Sequence, residues 1–200
     1  ASFWLIVPIA VVAWGVLWWY GGGVHELQRF VAWPERSQAV LLFFAASSVA
    51  FGALSTRLPW ASARWLWLLL YPAMVAQAGL DFVRASHPFA HLGAWAWLVA
   101  FAAHFWLLSR HERDDKPAFV GHMHSVGVWL LAFVGARELG WLIDTAVEGR
   151  RVWPAISWAI VPAAILLALT SRALQDRFPF SRNLKAYILG GGAPLAGFLP

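Results

Sequence analysis

Long apolar runs follow one another along this chain, separated by short polar links. A helix needs about 20 apolar residues to cross a bilayer. No water is available there to satisfy a bare backbone, so such runs must fold as helices. The fold class is therefore all-α, a polytopic transmembrane helical bundle. We expect about six full spans plus a truncated or broken seventh, in one transmembrane domain over residues 1–200. Composition agrees. The chain is 60% hydrophobic and 12% charged, against about 45–50% and about 25% for soluble domains.

The spans are expected at residues 2–20, 39–54, 61–80, 90–109, 121–144 and 154–170, with a last run at 186–200. Gly21, Gly22 and Gly23 should release the chain after the first span, and part of residues 24–38 should then lie flat in the interface. Residues 39–54 are rich in Ala, Ser and Gly, as in a closely packed inner helix. Pro72 should kink the third span. Arg110 to Pro117, RHERDDKP, reads as a solvated turn. Gly190, Gly191, Gly192 and Pro194 should break the final run. The chain starts at Ala1 inside an apolar run and ends in a run too short to cross, so it is expected to be a piece of something longer.

Of the fifteen tryptophans, Trp18, Trp19, Trp60, Trp65, Trp95, Trp106, Trp141 and Trp153 fall near span ends. That is the placement of an aromatic belt at the headgroups. The net charge of +5 sits in short links and sets orientation; it does not indicate nucleic-acid binding. One set of links holds Arg29, Arg36, Arg84, Arg137, Arg150 and Arg151. The other holds Arg57, Arg64, Arg110, Arg113, Lys116, Arg172, Arg177, Arg182 and Lys185. The second, more basic set should face the cytoplasm.

Cysteine is absent, which removes disulfides, thiolate metal sites and Cys nucleophiles. No phosphate loop, GxSxG or HExxH pattern occurs. Asp114 and Asp115 sit beside Arg113 and Lys116, which makes them solvated charges, and Ser47 and Ser48 read as packing polar groups.

Ionisable groups inside or beside the spans are the informative residues, because they are costly there. In span five, His124, Gly127, Leu131, Gly135 and Glu138 share a face at 100° per residue, with His122 and Arg137 turned away from it. The orientation places His25, Glu26, Asp81, Arg84, His87, Arg137 and Glu138 at the outer side. Two readings stand for these seven. They are a candidate catalytic cluster, with base, acid and anion clamp for a lipid-linked or anionic substrate. Otherwise they are ion pairs stitching helices together: Asp81 with Arg84, and Glu138 with Arg84 or His25. Glu138 should then face the interior near Asp81, Arg84 or His25. His104 and His124 lie at similar depths on adjacent spans, which makes them a candidate pair for haem b. The other reading of each is a hydrogen-bonded packing histidine. No other cofactor and no metal is implied.

The segments WWYGGGVHELQRF (18–30), HPFAHLGAWAWLVAFAAHFWLL (87–108), ARELGWLID (136–144) and KAYILGGGAPLAGFLP (185–200) resemble a family of very large bacterial membrane proteins. That family is described only as a predicted membrane-protein domain of unknown function. The resemblance implies a bacterial inner-membrane location and a longer chain with more spans. It implies no activity and no functional residue. The residues together favour a non-catalytic transport or envelope-assembly module. The alternatives are a membrane enzyme using the outer cluster and a haem-binding subunit. The expected partners are the lipid bilayer and further spans, of the same longer chain or of other membrane subunits.

Overall fold

A computed structural model describes residues 3–55, 57, 61–84, 86–112, 117–147, 153–175 and 179–197. The described residues are helical with turns between. The chain divides into two compact units, residues 1–77 with 89–107, and residues 78–88 with 108–200. Among the described residues, five helical stretches are long and apolar enough to cross a membrane, Val7–Phe30, Trp33–Ser55, Trp65–Val83, Phe119–Ala146 and Trp153–Thr170. The helix at the expected fourth span, α4 (Gly93–His111), is not among them. It ends in Arg110 and His111 and is rich in tryptophan, which lowers its hydropathy.

In the first unit, α1 spans Phe3–Phe30 and runs straight through Gly21, Gly22 and Gly23. The expected release there is wrong, and residues 24–30 are the end of span one, not a separate interfacial helix. Each glycine costs a helix about 1 kcal/mol relative to alanine. An apolar setting removes the alternative, since water cannot replace the broken backbone bonds. Gly23 also serves packing, because a Cβ there would strike the Phe43 ring. α2 (Arg36–Ser55) lies against α1. Trp19 Nε1 donates to Ser47 Oγ at 2.9 Å, and Tyr20 stacks on Phe44 at 4.2 Å. Leu41, Ala45, Ser47, Ser48 and Gly52 are buried, as a small-residue inner helix requires.

The third span is not a kinked α-helix. Ala61–Leu69 is 3-10 helix and α3 begins at Leu70 (Leu70–Val83). Pro72 therefore falls in the first turn of α3, where its missing N–H needs no partner. Trp67, Leu70 and Met74 are buried along this stretch, and so are Ala96, Trp97 and Ala100 of α4.

In the second unit, α5 (Pro117–Ala146) is the element on which the others pack. α6 (Ser157–Thr170) lies along it, preceded by a 3-10 turn at Trp153–Ile156. After α7 (Arg172–Gln175) and α8 (Phe180–Lys185) come a π-helical segment, Ala186–Gly192, and α9 (Ala193–Ala196). The stretch 171–185 was expected as a loop. The glycines of the final run do not break it. They bring it close to its neighbours: a Cβ at Gly191 would sit 3.2 Å from Val128 and one at Gly192 3.0 Å from Leu166. Val128, Ala132, Leu169, Tyr187 and Leu195 form the core between these elements. Because α5 is covered from more than one side, its buried residues do not follow a single face. Leu131, expected on the packing face, is 43% exposed.

Of the expected belt residues, Trp18, Trp19, Trp65, Trp95, Trp141 and Trp153 are exposed and Trp106 is half-buried, whereas Trp67 and Trp97 are core. Trp60, the turn at Arg113, Asp114, Asp115 and Lys116, and Arg150, Arg151 and Arg177 lie outside the described residues.

Candidate functional site

The C-terminal half of α5 carries Arg137, Glu138 and Trp141. At 100° per residue, Trp141 falls between the other two around the helix, so all three share one arc of about 100°. The expectation that Arg137 turns away from Glu138 is thus corrected. Both reach the same segment of chain, Asp81 to His87.

That segment is where α3 ends. A helix leaves its last four carbonyls without intrahelical donors. Arg137 supplies one: Nη2 donates to the Asp81 carbonyl at 3.4 Å and to the Ser86 carbonyl at 3.0 Å. Its guanidinium lies over the Phe82 ring, 5.6 Å from the centroid. A cation at a helix C-terminus also meets the negative end of the helix dipole. Pro88 disfavours helical backbone at His87 and keeps α3 from continuing.

His87 then folds back onto α5. Its Nδ1 lies 3.1 and 3.2 Å from the two carboxylate oxygens of Glu138. Its ring lies flat on Trp141, with centroids 3.7 Å apart and planes 9° apart. The Glu138 side chain is 11% exposed and that of His87 22%. Farther along the link, His91 has φ 52, the left-handed region. Histidine is among the residues that tolerate it.

Of the seven sequence candidates, the structure brings together His87, Arg137, Glu138 and the main chain of Asp81. The Asp81 side chain is buried and that of Arg84 is exposed. His25 and Glu26 are exposed on the last turns of α1, in the first unit. Glu138 faces the interior, as expected, and His87 holds its carboxylate. Sequence reading assigned Trp141 to the belt and missed Ser86. The spacing of Glu138 and Trp141, one helical turn apart, was the available signal for a shared target.

The two histidines of the expected haem pair have separate surroundings. His104, buried in the first unit, packs edge-on to Tyr71 at 5.2 Å. His124, buried in the second, has both ring nitrogens in contact with protein: Nδ1 with Tyr187 Oη at 2.6 Å, and Nε2 with Asn183 Nδ2 at 3.1 Å. Asn183 Nδ2 also donates to Glu112 Oε1 at 2.5 Å. Tyr187, Asn183 and Glu112 carried no sequence signal, since they are far from His124 or far from one another along the chain.

The model of a family described as Predicted membrane protein (DUF2339) matches residues 1–199. No curated protein and no solved structure matches.

Proposed function

The chain belongs to this predicted membrane protein family, and from that premise we propose that it is a non-catalytic module of a bacterial inner membrane, serving envelope assembly or transport by packing against further spans. The observation that carries the reading is how the cluster's charged groups are used. Arg137 caps α3 through main-chain carbonyls, and Glu138 is held by a histidine whose ring is covered by Trp141. These are the contacts of a stitch between helices. Polar side chains do that work in membranes at about 0.6–2 kcal/mol each.

The test is Glu138→Gln in the purified full chain, followed by thermal unfolding and by recovery of co-purifying membrane subunits. A stitch loses melting temperature. A catalytic cluster loses turnover of a lipid-linked substrate while its melting temperature stays unchanged, and that result would overturn the reading.

A further inference from the structure

Glu112, Asn183, His124 and Tyr187 form one hydrogen-bonded chain within the second unit. It joins the end of α4 to α5 and to the first turn of the π-helical segment. His124 is fully buried and Tyr187 is 1% exposed. π-helical turns are rare and occur mostly at functional sites.

The direction of every bond in this chain follows from Glu112. An ionised carboxylate only accepts, so Asn183 must present its NH2 to Glu112. The same nitrogen lies 3.1 Å from His124 Nε2, and an amide nitrogen only donates, so its second hydrogen serves that contact. Nε2 is then the acceptor nitrogen, and the imidazole proton sits on Nδ1. Nδ1–H donates to the Tyr187 oxygen at 2.6 Å. Which nitrogen of a histidine carries the proton is set by the bond the other one makes.

We propose that Glu112, through Asn183, sets the tautomer of His124 and so whether the Tyr187 hydroxyl accepts from His124 or donates to it. A group at position 112 that only donates would make the Asn183 amide turn over and offer Oδ1. Oδ1 would then accept from that donor and from His124 Nε2–H, and His124 Nδ1 would accept from the Tyr187 O–H. The imidazole keeps one proton, moved from Nδ1 to Nε2, and Tyr187 keeps its own.

The ionisable groups of the chain are Glu112 just past α4, His124 from α5 and Tyr187 from the π-helical turns, while Asn183 of α8 is neutral. Leu169 of α6 and Leu195 of α9 share a core with Tyr187 and carry no charge. Of the sequence neighbours, His111 is buried, whereas His122 and Lys185 are exposed. The state of Tyr187 matters because the segment it opens is held to α5 at other points. Ser125 Oγ donates to the Ala186 carbonyl at 3.1 Å, and Trp129 Nε1 to the Gly191 carbonyl at 3.3 Å. The inference does not depend on the module reading.

The experiment is 15N spectroscopy of histidine-labelled full chain in lipid nanodiscs, with His124 assigned by the signal lost in His124→Gln. The expected result at neutral pH is a protonated Nδ1. Glu112→Lys, whose side chain donates and has no acceptor, moves the proton to Nε2. Tyr187→Phe leaves it on Nδ1. An unchanged tautomer in Glu112→Lys, or a move to Nε2 in Tyr187→Phe, overturns the proposal.

Discussion

His87 lies flat against Trp141, ring centroids 3.7 Å apart, while its Nδ1 bridges both oxygens of Glu138 one helical turn away. One side chain of the α3–α4 link is therefore gripped twice by α5. The two grips support each other, since the stacked ring fixes the direction of Nδ1. Glu138→Gln is expected to destabilise by about 1–3 kcal/mol, the usual cost of impairing a largely buried hydrogen bond. Trp141→Leu should cost about 0.5–1.5 kcal/mol beyond lost area. A double-mutant cycle on thermal unfolding should give a coupling above about 0.5 kcal/mol. Additive losses would show that the ring and the carboxylate act separately.

Arg137 is the cap of α3, so its loss should be felt in that helix. Arg137→Met keeps the stem and removes the donor to the Asp81 and Ser86 carbonyls. A stability loss of about 1–3 kcal/mol is expected. Amide hydrogen exchange should quicken over the last turn of α3 and hold steady in α6. Uniform acceleration across the second unit would mean that the arginine matters for global packing instead.

Gly190 is required by what faces it. A Cβ there would strike Ser125 Oγ, and that hydroxyl cannot swing away freely because its one hydrogen is placed between the Gly121 and Ala186 carbonyls, each 3.1 Å from the oxygen. Gly190→Ala should destabilise by about 1–3 kcal/mol, as overpacking does. Adding Ser125→Gly removes the obstacle and should recover part of the loss. A double variant no more stable than Gly190→Ala would show that the backbone, not the contact, needs the glycine.

The basic residues, nine in one set of links against six in the other, set the expected orientation. In intact cells, Ser86→Cys should react with an impermeant thiol reagent, and Asp115→Cys only after the membrane is opened. The reverse pattern would invert the topology.

Much of the architecture was decided locally. The apolar runs, the excess of tryptophan and the charge-poor composition are sufficient for a transmembrane helical bundle, because hydrocarbon allows a spanning segment so few backbone solutions. The small-residue character of α2 and the inward placement of Glu138 were legible because small residues permit close packing and an ionised group is costly in hydrocarbon. Partners were decided elsewhere. Nothing near Glu138 in the chain indicates His87, and nothing near His124 indicates Asn183 or Tyr187, since those residues meet only when separate helices pack. The glycine runs show the limit most clearly. Gly21 to Gly23 and Gly190 to Gly192 read as breaks by local propensity, yet both are helical. Gly21 and Gly22 have open space beside them and stay helical because hydrocarbon offers the backbone no other partner, whereas at Gly23 and Gly191 a neighbour, Phe43 or Val128, occupies the space a side chain would need. That outcome depends on which helix lies opposite, and only the tertiary structure sets it.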